Sequence, residues 1–161
     1  MDHLLIDLHR ELATTRRVLE RYPSGQGEWK PHEKSRGLLA LATHVAQIPG
    51  FGATILTTPE LDVMTRPPQP LDDSAEALVA AFDANVARLE DALASTDDAR
   101  LNEKWTMRAG PKVLISEPRA LLMRLMLVNH MIHHRAQLCD DYRLLNVPVP
   151  SVYGPSADEP I

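Results

Sequence analysis

The run from Pro118 to Asn146 most limits what this chain can fold into, because it is apolar on nearly every side and yet carries His130, His133 and His134. Leu121, Leu122, Leu125, Met126, Leu127, Val128, Met131, Ile132 and Leu138 leave no wide polar stripe, so the run reads as the most buried helix of the molecule. Pro118 suits its first turn, where the missing N–H removes no hydrogen bond. At about 3.6 residues per turn, His130 and His134 stand one turn apart and about 40° from each other around the axis. Two imidazoles so placed can reach one metal ion. His133 competes with His134 for that role, since residues three apart are also neighbours on a helix.

A buried neutral imidazole still has one donor and one acceptor to satisfy. Hydrogen bonds to a backbone carbonyl or a carboxylate are the plain solution, and a shared metal ion is the other. His44 is the candidate third ligand: it sits inside the apolar pattern Leu38, Leu39, Leu41, Ala42, Val45, Ile48 of an earlier segment. Three histidines leave coordination positions open to water or substrate, as catalytic rather than structural sites do. Zinc, nickel and iron(II) all suit imidazole.

The remaining chain supplies a helical scaffold. Leu5, Ile6, Leu8, Leu12, Ala13, Thr15, Val18 and Leu19 recur at three- and four-residue steps with Asp7, Arg10, Glu11 and Arg16 between them, which predicts an amphipathic helix from Asp2 to Arg21. Tyr22 to Gly27 ends it, and Trp29 lies in a charged loop expected to pack onto the body. Ser35 is the expected N-cap of a second helix from Arg36 to about Thr57, bent at Pro49. Thr57 to Asp73, with Pro59, Pro67, Pro68 and Pro70, reads as an extended linker. Ser74 opens a third helix, Ala75 to Ala94, with Leu78, Ala81, Phe82, Val86, Leu89 and Leu93 on one face. Between Ser95 and Glu117, two apolar clusters flank Arg108 to Lys112 and allow a short hairpin-like excursion or an irregular loop. A proline-rich tail follows Asn146. The expectation is an all-α four-helix bundle in one domain, residues 1–161, with 147–161 as its extended tail.

Composition removes several classes of function. A chain of 161 residues with 44% hydrophobic content can bury one real core. A net charge of −5 and the absence of any Lys/Arg cluster of five or more speak against nucleic acid as a partner. No basic leader precedes an apolar stretch, and no apolar run reaches the roughly 18 residues of a membrane span, so a cytoplasmic protein without membrane contact is expected. Cys139 is the single cysteine, which excludes an internal disulfide and a thiolate-rich zinc site.

Leu41-Ala42-Thr43-His44, the stretch from Asn129 to Leu138, Leu144 to Pro150, Tyr153-Gly154-Pro155-Ser156 and the Trp105-Thr106 region together resemble the DinB family, the DinB/YfiT-like metalloenzymes. The likeness spans nearly the whole chain. It implies an up-down-down-up bundle in which a divalent metal is held by His44, His130 and His134, leaving His133 a packing role or a place behind the ligands. It further implies a metal that activates a low-molecular-weight thiol as thiolate for transfer to a small electrophilic substrate, and a homodimer. One departure is Ala136, where the family commonly has glycine; wider helix packing is the expected effect.

Other residues have plain readings beside functional ones. Gln137 and Asp141 lie one and two turns beyond His134 and can orient a ligand imidazole or make an interhelical hydrogen bond. Arg135 points away from the ligand face and reads as a surface or interface charge, with substrate-anion binding as the minor alternative. Cys139 reads as a small core residue, Trp29 and Trp105 as loop packing or the rim of a pocket, and His3, His9 and His32 as solvated. Two rival functions stand beside the transferase: a non-catalytic, stress-induced metal-binding or interaction protein, and a metal-dependent hydrolase with Asp141 as its base.

Overall fold

The computed structural model describes residues 2–65 and 69–160, with side chains from residue 7 onward in those ranges. Expectations about the side chains of His3, Leu5 and Ile6, and about Pro67 and Pro68, lie outside the described residues. Long helices dominate: α1 (Asp2–Leu19), α2 (Leu38–Thr57), α3 (Ala75–Ala94), the short α4 (Asp98–Asn102), and a last helix in three consecutive pieces. Those pieces are α5 (Arg119–Leu122), a π-helical segment (Met123–Asn129) and α6 (His130–Leu144). α2 packs against α3 and α6, and α1 against the same two, so the long helices enclose the core in the cyclic order α1, α3, α2, α6.

The all-α expectation is corrected by a three-stranded sheet, β1 (Glu60–Asp62), β2 (Lys104–Ala109) and β3 (Lys112–Pro118), in the order β1-β2-β3. Of the two readings of the stretch between the third and last helices, hairpin or irregular loop, β2 and β3 form the hairpin, closed at Gly110, whose φ of 55° lies in the left-handed region. The surprise is β1, inside the stretch read as linker, which pairs in parallel with β2 through Glu60 opposite Thr106. Arg108 fixes that register by bridging Glu60 and Asp62, and Asp62 accepts the Gly110 amide at 3.1 Å. Three residues flanked by prolines carry too little periodicity for such a strand to be read in advance.

α2, not the last helix, is the most deeply set element. Twelve of its residues from Leu38 to Leu56 are buried, whereas Leu121, Leu125 and Leu144 of the last helix are exposed. By length and composition α2 could cross a membrane, contrary to the reading that no apolar run is long enough, but 61% of the relevant window is buried inside this molecule. Its start is also two residues later than expected. Ser35 does not cap it: Gly37 is the N-cap, and the Leu38 and Leu39 amides donate to the carbonyls of Trp29 and Gly27, so the preceding loop satisfies the orphan donors. Pro49 does not end the helix. There α3 approaches closely, with the Asn85 side-chain amide donating to the Ala46 carbonyl at 3.0 Å. Ser74 caps α3 as expected, accepting from the Ala77 amide.

Arginines close the far end of α2, which has no basic residue in its own last turn. Arg119, 2% exposed, donates to the carbonyls of Ile55 and Thr58, and Arg100 donates to that of Leu56. The tail is strapped back along the bundle: Glu159 pairs with Arg17 and Arg21, and Asp158 with Arg143.

Candidate metal centre

Three helical residues converge on one point. His44 comes from the middle of α2, and His130 and His134 from the first two turns of α6. The Nε2 atoms of His44 and His130 lie 3.1 Å apart and those of His134 and His130 2.9 Å apart. The three donor atoms all lie within 4.8 Å of one another. Nitrogens coordinated to zinc at 2.0–2.1 Å in a tetrahedral shell stand about 3.3 Å apart, close to this spacing. Neutral imidazoles cannot all donate to one another here, and a cation accepts all three lone pairs at once. The residues present therefore fit a divalent metal.

Protonation favours the same occupant. Burial, then the neighbouring His130 and His134, and then the Arg36 guanidinium hold the His44 imidazole down to about 4. Burial lowers His130 and His134 in the same direction. All three rings are thus neutral at pH 7 with lone pairs available.

The other ring nitrogens set orientation. Gln137 Oε1 accepts from His134 Nδ1 at 2.6 Å, fixing that tautomer and leaving Nε2 free to coordinate. Of the two functions weighed for Gln137, the structure selects the one that orients His134. For His130 the π-helical segment matters. The His130 amide donates to Leu127 instead of Met126, and the Met126 carbonyl faces the ring closely enough to favour its protonated form. That contact falls short of hydrogen-bond geometry, so His130 Nδ1 is buried without a full partner among the described residues. A π segment one turn before a cluster of polar side chains is typical of functional sites, and nothing in the residue pattern foretold it.

His133 is exposed, its ring edge-on to His134 at 4.8 Å between centroids, and it stands outside the converging set. His9 and His32 are exposed as expected. Arg135 is a correction. It is 2% exposed, pairs with Glu11 at 2.7 Å and donates to Thr15 Oγ1 and Tyr153 Oη, so it is an internal tie between α6, α1 and the tail. Trp105 is fully buried rather than at a rim, donating to Thr58 Oγ1 and packing edge-on against Phe51. Cys139 is partly buried against the core. Ala136 faces solvent, so its replacement of glycine widens no helix contact.

The centre opens to clefts on two sides. One, of about 470 Å³, is bordered by His44, His130, Gln47, Phe51, Asn85 and Arg88. The other, of about 410 Å³, is bordered by His134, Gln137, Asp141, Arg36, Leu41 and Pro31. Gln47 and Gln69, which border the first, and Arg36, which borders the second, also line a third hollow next to His44.

Comparison with known proteins places the fold in one class. The structure is similar to a DinB-like protein from Bacillus subtilis, with a TM-score of 0.68 at 14% identity over 91% of this chain and 95% of that one. It is similar also to a DinB-like protein from Bacillus cereus, with a TM-score of 0.67 at 19% identity over 95% and 97% of the two chains. The DinB superfamily model matches residues 7–138, and the chain belongs to that superfamily. A search of curated proteins finds no match.

Proposed function

We propose that the protein is a divalent-metal enzyme of the DinB superfamily that transfers a small thiol to an electrophilic substrate at an open centre held by His44, His130 and His134. The observation that carries this reading is the convergence of three neutral imidazole Nε2 atoms with no carboxylate or thiolate in the set to close the shell. Such a metal supplies a positive charge that stabilises the deprotonated form of a bound thiol. The protein's own contribution is placement. Gln137 keeps His134 in the coordinating tautomer. The clefts on either side give two reactants separate approaches. We read the ring of long helices as the up-down-down-up bundle of the family and expect a homodimer in the cytoplasm, with neither nucleic acid nor membrane as partner.

Cobalt substitution tests the transferase reading. Adding glutathione, bacillithiol or mycothiol to the cobalt-loaded protein should produce a new near-ultraviolet sulfur-to-cobalt band. A spectrum unmoved by all three would favour the rival reading, a non-catalytic metal-binding or interaction protein.

A further inference from the structure

Asp141 has no role in the chemistry just described, and its surroundings call for one. It is 6% exposed, it borders the cleft beside His134, and among the described residues its carboxylate makes no hydrogen bond or ion pair. Its oxygens are not sealed off from solvent and open onto the cleft. Seven residues of α-helix separate it from His134, about 10 Å along the axis and about 20° around it. Asp141 therefore faces the same way as His134 but cannot reach the point where the three imidazoles meet. That distance removes it as the base of a hydrolase acting at the metal and suits a group that grips the far end of a longer molecule.

The rest of the cleft says what that molecule carries. Asp140 borders it as a second carboxylate, and Arg36 as a cation with no ion pair among the described residues. Pro31, Leu41 and the exposed Leu144 add apolar surface beside the polar Ser35 and Gln137. We propose that this cleft binds a small zwitterion, with an ammonium group seated against Asp141 and Asp140 and a carboxylate against Arg36, as the head group of the thiol whose sulfur reaches the histidine centre. The place of the sulfur rests on the function proposed above; the ammonium site stands without it. In a γ-glutamyl thiol, the ammonium lies about eight bonds from sulfur, close to 10 Å when extended, which spans the cleft.

S-methylglutathione keeps the ammonium and both carboxylates but offers no thiol, so its binding to the metal-free protein tests the cleft alone. Calorimetric titration should show binding that falls roughly tenfold or more when the ligand's ammonium is acetylated, and by a similar factor in Asp141→Asn. The two losses should not add: the acetylated ligand should bind both proteins alike. An acetylated ligand that binds wild type as well as its parent, or a wild type that binds neither, overturns the proposal. If Asp141→Asn does not fold, the two ligands on wild type decide the question. Zinc content of the same preparations is measured in parallel. Zinc binding without ammonium preference rejects this inference and spares the proposed function; ammonium preference without zinc binding does the reverse.

Discussion

At the scale of single residues, pH dependence follows from the histidines. The ordinary histidine value of 6.5 applies to the unfolded chain, and the folded His44 titrates at about 4. Between these values the unfolded state binds more protons, so the metal-free protein gains stability as pH rises through that window and loses it as pH falls. Urea midpoints at pH 7 and pH 5 check this: the midpoint should be lower at pH 5, and His44→Gln should flatten the difference. A midpoint unchanged or higher at pH 5 would contradict the burial of a neutral His44. Glu11 and Arg135 give a second prediction. Glu11→Gln leaves a buried guanidinium without its counter-charge and should destabilise by about 3–5 kcal/mol in denaturant titration. This pair was not legible in the sequence, because Glu11 falls among the polar positions between apolar ones and its partner is 124 residues away. His44, in contrast, stood out as an imidazole in an apolar register.

At the scale of elements, the helices were readable where local signals decide and misread where distant segments do. Ser74 is a cap by its own side chain, and Ser74→Ala should cost about 1 kcal/mol of thermal stability. The start of α2 is set by carbonyls of Gly27 and Trp29, which no pattern near Ser35 reveals. Gly50 is likewise explained only by its neighbour. A Cβ there would meet Asn85 Oδ1 at 2.2 Å, so Gly50→Ala should break the Asn85 bond to Ala46 and destabilise by about 1–3 kcal/mol. Crystals of that variant should show Asn85 displaced into the cleft it borders. β1 escaped notice because it exists by pairing with β2 rather than by its own residues, and nothing in the residues from Met123 to Asn129 marks the π segment.

At the scale of the whole molecule, the ring of helices brings α2 and the start of α6 together at mid-length, and the sheet braces this arrangement through Trp105 against Phe51. The centre is thus fixed by elements far apart in the chain, and its ligands by two short stretches within them. Losing the hydrogen bond that orients one ligand should be felt less than losing a ligand: Gln137→Ala should weaken zinc about tenfold to a hundredfold, and each ligand deletion more. The most direct measurement is metal stoichiometry and affinity for wild type, His44→Ala, His130→Ala, His134→Ala and His133→Ala, by zinc titration with mass-spectrometric metal analysis. One equivalent bound by wild type and by His133→Ala, with binding lost in the other three variants, is the predicted result. No metal in wild type, or one retained in full by any of those three, would contradict the three-histidine centre.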